Sequence, residues 1–351
     1  MRILFLTPWY PNESNPNHGV FVRDQVRVLS ETHQVCVVAA RIDYSLKAFS
    51  SIQKKSVASG NVWEHMLVVK QSWPIFNQLN FFYPGAVWGY IISKLAGVPF
   101  VVTEHTRITN NFRSWLHKRL AIYALNRAAC IIVVSKAPAE EIYKYLKHTR
   151  LAVVPNVINF DRFQSVGAAP VDYFFHIGFL GGLDTPVKGL DILLQAVAKL
   201  PFPFQLHIGG KGVLLDEYKK LAVDCGVYQS CKFYGFVNYD TVPGFMARIN
   251  LFVSASRYET FGIAVAEALA CGRPIVVTDS GGPADLVKPE NGILVPIENV
   301  QKMAEAIQSI FNLKEEYNPE LIRTDIRNRY SAAAFRIAIE KIYMEAVKQS
   351  H

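Results

Sequence analysis

The chain of 351 residues is 50% hydrophobic and 19% charged, with a formal net charge of +8; this excludes a disordered, low-complexity or fibrous polypeptide. Its length exceeds what one hydrophobic core usually serves, since cores stop growing at roughly 250–300 residues, so two domains are expected. The excess charge is confined to one half, with 18 basic against 8 acidic residues over 1–160 and 19 against 21 over the remainder, a field that suits a nucleic acid, an anionic membrane, an anionic small molecule or simply a solvated basic face.

In chain order, Arg2–Thr7 reads as a first strand. Its apolar run is too short for a signal-peptide core and ends in Pro8-Trp9-Tyr10-Pro11 rather than a small-residue cleavage site. Val35–Ala39, Met66–Val69, Phe100–Thr103, Cys130–Val134 and Leu151–Val154 read as further strands. Between them, Val20–Glu31 puts Val22, Val26 and Leu29 on one helical face, and Ser114–Ala128 and Pro138–Lys147 also have helical spacing. The most apolar long window, Phe81–Thr103, is broken by Pro84, Gly85, Gly89, Lys94, Gly97 and Pro99, so no membrane span is expected. After Pro155-Asn156-Val157 the chain is polar and irregular to about Pro170, which marks a hinge. The alternation then begins afresh, with strands at Tyr173–Ile177, Phe204–Ile208, Lys232–Tyr234, Asn250–Val253, Pro274–Val277 and Gly292–Val295. Helices are expected at Leu190–Lys199, Leu214–Gly226, Asp240–Ala247, Phe261–Ala270 and Val300–Leu313, and a last one at Ala332–Gln349. Strands alternating with helices imply two α/β units, each a doubly wound parallel sheet covered on both faces. Ligands of such sheets lie beyond the carboxyl ends of the strands.

The most informative stretch is bracketed by Glu259 and Glu267. The second carboxylate falls on a helix, the first on the loop before it. Between them the backbone amides of Thr260, Phe261, Gly262 and Ile263 fall at the helix start, where unpaired N–H groups and the helix dipole favour an anion. Carboxylates for hydroxyls beside amides for phosphate describe a nucleotide-sugar site. Gly209-Gly210-Lys211-Gly212 is not a phosphate-binding Walker loop, because Gly212 stands where Ser or Thr is needed, and no Gly-x-Gly-x-x-Gly follows the first strand. A kinase or a dehydrogenase is disfavoured. Five scattered cysteines, with no Cys-x-x-Cys and no metal-ligand spacing, fit a reduced cytoplasmic setting.

That stretch, with Ala270-Cys271-Gly272-Arg273-Pro274 and Ser280-Gly281-Gly282-Pro283 after it, resembles the Glu-x7-Glu motif of the retaining glycosyltransferases of family 4, which have the GT-B fold. The likeness takes in Met1–Thr7 with Gly19, Thr103-Glu104-His105, Val154-Pro155-Asn156, Lys188-Gly189, Gly209–Gly212, Gly235-Phe236 and Asn291-Gly292, in order. It implies two Rossmann-like domains facing an interdomain cleft: 1–160 on the acceptor side, completed by a C-terminal helix at 332–349, and 161–331 binding the nucleotide-sugar donor. By resemblance Lys188 contacts the diphosphate, Glu259 the donor sugar, Glu267 the ribose, and His105 the donor sugar from the first domain, which makes Glu259, Lys188 and His105 the candidate catalytic groups. Gly19 would let backbone approach the phosphates, and Gly209 with the backbone of Phe236 and Val237 would flank the base. Many relatives carry an arginine where this chain has Gly182, and Arg257 and Lys211 are candidate substitutes for that phosphate cation. No Asp-x-Asp occurs in the chain, so a diphosphate-bridging metal of that type has no candidate ligands. No metal and no cofactor are expected, and the nucleotide-diphosphate sugar is a substrate.

The resemblance implies sugar transfer with retention to a hydroxyl of a glycan or lipid-linked acceptor, in cell-surface polysaccharide or glycoconjugate synthesis. An epimerase, a phosphorylase or a non-catalytic nucleotide-sugar binding subunit would use the same architecture. Two features bear on the acceptor. Phe112, Trp115, Leu116 and Leu120 lie among Arg113, Lys118, Arg119 and Arg127, a basic amphipathic helix able to rest on anionic lipid at the inner face of the cell membrane, or a solvated flank. Trp73, Phe76, Phe81, Phe82 and Tyr83 form an aromatic cluster for stacking on sugars, or for core packing. A cytoplasmic protein without a nucleic-acid partner is expected.

Overall fold

The computed structural model describes residues 1–7, 9–11, 18–43, 53–70, 85–106, 114–147, 149–164 and 166–349. Most of the loop before Gly19, the cluster Trp73, Phe76, Phe81, Phe82 and Tyr83, and the pair Phe112 and Arg113 lie outside the described residues. The chain divides into two compact units, Met1–Val134 with Pro138–Val157 and Ala332–His351, and Ser135–Ala137 with Ile158–Ser331. The main division falls at Ile158, beside the irregular stretch that follows Pro155-Asn156-Val157. No helix among the described residues is long and apolar enough to cross a membrane.

In the first unit β1 (Arg2–Thr7), α1 (Val20–Ser30), β2 (Gln34–Asp43), β3 (Gln53–Ser59) and β4 (Val62–Lys70) are followed by α2 (Gly85–Ala96), β5 (Val101–Glu104), α3 (Trp115–Leu125), β6 (Cys130–Val133), α4 (Lys136–Tyr143) and β7 (Leu151–Val153). The strands form one sheet ordered β1-β2-β4-β3 and a second ordered β5-β6-β7. All pairs are parallel except β3 against β4. That antiparallel edge corrects the expectation of purely parallel strands. Its physical origin is a two-residue turn at Gly60-Asn61, with Gly60 at φ 55° and Ser59 paired to Val62, a connection whose positive φ suits the twist of a hairpin. β6 buries both faces. Cys130 and Ile132 join a core with Val22, Val26 and Leu29 of α1, whereas Ile131 and Val133 meet Leu125, Ala139 and Ile142. The last helix carries Phe335, Ile339 and Ile342 into the same core as α1, at the i, i+4, i+7 spacing of one helical face.

The second unit runs β8 (Phe175–Leu180), α5 (Leu190–Val197), β9 (Phe204–Gly209), α6 (Leu215–Asp224), β10 (Cys231–Gly235), α7 (Val242–Met246), β11 (Leu251–Ser254), α8 (Ile263–Ala270), β12 (Ile275–Thr278), β13 (Gly292–Val295), α9 (Val300–Asn312) and α10 (Pro319–Tyr330). Its six strands are all parallel and ordered β10-β9-β8-β11-β12-β13. The order reverses between β8 and β11, the switch point beyond which an open α/β sheet leaves a crevice at its carboxyl edge. α10 has no counterpart among the sequence-based helices, although Asn318 caps it and Pro319 occupies its first turn. Its polar, charged sequence hides the apolar stripe of Ile322, Ile326 and Tyr330 that it buries. The helix after it, α11 (Ala332–Lys348), is the one that joins the first unit.

Candidate functional site

Lys188 and Glu259 come from the two strands that flank the switch point. After β8 the chain turns through Pro186–Lys188, and Gly189 takes a left-handed conformation at φ 69° to start α5. A side chain at Gly189 would put its Cβ 1.9 Å from the Ala255 carbonyl oxygen, in the loop after β11. That close approach, with the Arg257 amide donating to the Val187 carbonyl at 2.7 Å, clamps the two loops together. The consequence is an ion pair between Lys188 Nζ and Glu259 Oε2, both partly exposed.

The backbone of Glu259 is held in turn by the loop after β12. Its amide donates to the Ser280 carbonyl at 2.9 Å, and its carbonyl accepts from Gly282 at 2.8 Å. A Cβ on Gly282 would stand 2.2 Å from the Thr260 carbonyl oxygen and 2.5 Å from Phe261 Cα, so only glycine lets the two loops touch. Phe261 turns inward, 3% exposed, with its ring against Tyr330 at 5.7 Å. Gly262, at φ 89°, is the N-cap of α8 and supplies no side chain to its amides. An uncapped helix start beside an ammonium is suited to an oxyanion.

Glu267 lies on the buried side of α8, 5% exposed. Arg162 Nη1 donates to its Oε1 at 2.9 Å, the second guanidinium nitrogen donates to the Tyr239 carbonyl, and the guanidinium lies 3.3 Å from the centre of the Tyr239 ring. Sequence reasoning missed Arg162. A lone arginine in a polar linker has no signature, but a glutamate in the otherwise apolar helix Ile263–Ala270 demands a counter-charge, and that demand was a readable signal. Farther along the sheet, Gly209 is walled by Leu180, Val237 and Phe245 side chains, with Val237 Cγ2 at 2.8 Å from where a Cβ would be. Phe236 is 44% exposed, and the Lys211 ammonium lies 4.5 Å from its ring centre.

Both candidate substitute cations have partners of their own. Arg257 is committed elsewhere: it makes a two-pronged pair with Asp191 at 3.0 and 2.8 Å, donates to Glu298 at 2.9 Å and to the Pro186 carbonyl at 2.5 Å. These carboxylates hold its guanidinium above the usual arginine range, so Arg257 is a tie between loops. Lys211 sits with Phe236, on the β9–β10 side. At Gly182 a Cβ would meet nothing within 4 Å. Two further motif residues turn out structural: Arg273 is buried and donates to the Met246 and Gly167 carbonyls, and Asn291 is buried and braces Leu286 and Lys288.

In the first unit Gly19, at φ 69°, is the N-cap of α1. A Cβ there would lie 2.3 Å from the carbonyl carbon of Trp9, so the glycine is required by packing as well as by conformation. His105 follows β5, its ring 4.5 Å from that of Phe21 on α1. Burial pushes its imidazole down to about 4, and its Nδ1 is buried with no hydrogen-bond partner among the described residues. A neutral ring nitrogen without a partner can be satisfied by a ligand hydroxyl. Next to it, Glu104 is held by the amide and hydroxyl of Thr106 at 3.0 and 2.7 Å, and burial raises its carboxyl.

Residues 18–162 match the family model described as Glycosyltransferase Family 4, and residues 175–324 match Glycosyl transferases group 1. An uncharacterized glycosyltransferase of Methanocaldococcus jannaschii is 30% identical over 286 residues, 73% of each chain. The lipopolysaccharide core biosynthesis glycosyltransferase LpsE of Rhizobium meliloti is 32% identical over 184 residues, 52% of this chain and 53% of LpsE. In fold, the chain is similar to Anabaena HepE, solved with UDP and glucose, at a TM-score of 0.72 and 21% identity over 97% of this chain and 98% of HepE. A family model on each half and a relative spanning most of the chain agree with the parallel-sheet units and their switch point: the chain belongs to the family 4 glycosyltransferases, enzymes of the GT-B fold.

Proposed function

We propose that this enzyme transfers a sugar from a nucleotide-diphosphate sugar to a hydroxyl of a glycan or lipid-linked acceptor, with retention at the anomeric carbon and on the cytoplasmic side of the membrane, in the synthesis of a cell-surface polysaccharide or glycoconjugate. The observation that carries the reading is the meeting of Lys188 and Glu259 at the switch point, beside the uncapped start of α8. As the bond from the anomeric carbon to the diphosphate breaks, negative charge grows on the leaving group. Lys188 and the amides at Gly262 and Ile263 face that charge as fixed donors, a type of contact whose loss typically costs roughly 100- to 1000-fold in rate. In the free enzyme Glu259 neutralises the ammonium; with donor bound, the diphosphate takes the ammonium and Glu259 accepts from sugar hydroxyls. Glu267, braced by Arg162, accepts from the ribose, and the exposed Phe236 offers a face to the base. His105 offers its unpartnered ring nitrogen to a sugar hydroxyl. No metal ligand set of the Asp-x-Asp type is present in the sequence, in keeping with charge neutralised by amides and an ammonium. The acceptor oxygen attacks from the same face that the leaving group departs, and the leaving phosphate takes its proton.

HepE supports a uridine donor, and LpsE supports a surface-glycan acceptor. A thermal-shift panel of UDP, GDP and ADP with their sugar conjugates tests the reading. One base should raise the midpoint, since a ligand at 100 times its dissociation constant adds about 2.7 kcal/mol. Glu267→Ala should abolish that binding by calorimetry; full affinity in this variant removes the ribose assignment, and no response to any base removes the donor reading.

A further inference from the structure

We infer that Asp172, His176, His207 and Tyr234 form a proton-responsive relay across the sheet of the second unit, which positions the loop at Gly235, Phe236 and Val237 and makes nucleotide binding depend on pH. The link to nucleotide rests on the donor site proposed above. His176 on β8 pairs with Gln205, and His207 stands two residues further along β9, so the two imidazoles share a face of the sheet. His207 pairs in turn with Lys232, and Tyr234 follows as the extra residue of a bulge between Phe233 and Gly235. The track therefore advances roughly 12 Å along the strands, from their amino ends towards the carboxyl edge. Its contacts are continuous. Both Asp172 carboxylate oxygens lie within 3.0 Å of His176 Nε2, His176 Nδ1 is 2.9 Å from His207 Nε2, and His207 Nδ1 is 2.8 Å from the Tyr234 hydroxyl. His176 and His207 are 7% and 3% exposed, Tyr234 40%.

Donor and acceptor chemistry fixes the direction of the relay. An ionised carboxylate only accepts, and a neutral imidazole has one N–H and one lone pair. The bond from His176 holds the Asp172 carboxyl below its usual range. His176 therefore donates from Nε2 and accepts at Nδ1 from His207, whose own Nδ1 accepts from the Tyr234 hydroxyl. One added proton reverses every bond. Taken up at the partly exposed Tyr234 oxygen, it moves the hydroxyl's own proton to His207 Nδ1 and the proton of His207 Nε2 to His176 Nδ1, and the charge settles on His176 against Asp172. The charged groups that face His207 are Asp172 before β8, His176 itself, Lys232 of β10 and Arg248 after α7. Burial, then the charges of His176, Lys232 and Arg248, push His207 down to about 4. A second proton, which would set N–H against N–H, is thus refused.

Tyr234 carries the change to the loops at the carboxyl edge. It immediately precedes Gly235, which sits at φ 66° and accepts from the Gly210 amide at 2.7 Å. Its ring stacks on that of His207 at 5.7 Å and meets Phe245 edge-on at the same distance. Phe245 and Val237 in turn wall Gly209. In the neutral relay the hydroxyl is tied to His207 as a donor. In the charged relay its proton loses that acceptor and turns to water, and the ring turns with it, against the bulge that leads into Phe236 and Val237. Nucleotide binding then favours the neutral relay, and by linkage a bound nucleotide expels the proton.

Isotope-edited NMR of the imidazole nitrogens reads the relay directly in the full chain. His207 should carry its proton on Nε2 at about pH 8 and on Nδ1 at about pH 5.5, on either side of the range in which imidazoles titrate. A single tautomer throughout overturns the proposal. By calorimetry, the affinity of the wild type for UDP should weaken about fivefold over the same interval, beyond any change in Tyr234→Phe, which keeps both ring contacts and lacks only the hydroxyl. Protonation of UDP itself affects all proteins alike and cancels in the comparison. Asp172→Asn should respond as Tyr234→Phe does, because charge on His176 loses its counter-ion. Circular dichroism and thermal midpoints establish that the variants are folded. Parallel pH profiles in the three proteins overturn the coupling of relay to loop. A wild type that binds no UDP at either pH removes the uridine donor instead, and the tautomers of His207 still decide the relay.

Discussion

Glu267 illustrates how the site depends on residues outside the recognised motif. A carboxylate 5% exposed on an apolar helix is tolerable only with a counter-charge, and Arg162 supplies it from 105 positions earlier. The arginine is itself fixed by the Tyr239 ring and carbonyl. Arg162→Ala should remove the buried acid's counter-charge, at a cost of about 3 kcal/mol. The thermal midpoint should fall and nucleotide affinity with it. Arg162→Lys restores the charge but not the planar stack, so its midpoint should lie between those of alanine and wild type. An alanine variant that binds nucleotide as the wild type does would show that Glu267 needs no bracing. Arg257 is the reverse case. In sequence it is a cation two residues from Glu259, yet its two-pronged bond to Asp191 leaves it to tie β8 and β11 loops together.

Among the elements, loops rather than helices or strands set the geometry, and glycines determine how closely loops approach. The loop after β12 presses on the loop before α8 through Gly282, where an added Cβ would meet three adjacent backbone atoms of Thr260 and Phe261 within 2.5 Å. Gly282→Ala should therefore displace Glu259 and Thr260, lower stability by about 1–3 kcal/mol and weaken nucleotide binding. Gly182→Ala is the control, because an added Cβ there meets no atom of the described residues within 4 Å and should change neither quantity. Calorimetry and thermal unfolding of the pair check both halves of the statement. Equal behaviour of the two variants would mean that the loop contact does not position the site. The hairpin of β3 and β4 and the helix α10 show where element reading fails. Lys54, Lys55 and Ser56 give β3 no apolar alternation, and the turn at Gly60-Asn61 was its only local mark.

At the scale of the molecule, each unit holds a histidine that resists protonation. His105 in the first unit and His207 in the second are both pushed down to about 4, His105 by burial, His207 by burial and by the charges of His176, Lys232 and Arg248. His207 belongs to a chain in which Asp172 holds His176, His176 meets His207 at 2.9 Å and His207 meets the Tyr234 hydroxyl at 2.8 Å. A folded pKa below the unfolded 6.5 means that the unfolded chain binds more protons between those values. Stability should be constant above about pH 6.5 and fall as the pH drops from there towards 4, by about 3 kcal/mol for His207 when complete. The raised carboxyl of Glu104 acts in the opposite sense over part of that window. The diagnostic is thus a comparison: thermal midpoints of wild type and His207→Gln at a series of pH values should converge as the pH falls. Parallel curves would remove His207 as the source.

The amino-acid order by itself determined the two α/β units, most strands within a few residues, the buried stripe of Val22, Val26 and Leu29, and the placing of Lys188 and Glu259 after strands. These are local properties, written in periodicity, turn glycines and motif spacing over tens of residues. Only the tertiary structure decided which charges meet: Lys188 with Glu259, Glu267 with Arg162, Arg257 with Asp191. An ion pair between residues 66 to 105 positions apart depends on strand order and loop contact, and the strand order 3-2-1-4-5-6 of the second unit brings the first and fourth strands side by side whatever lies between them in sequence.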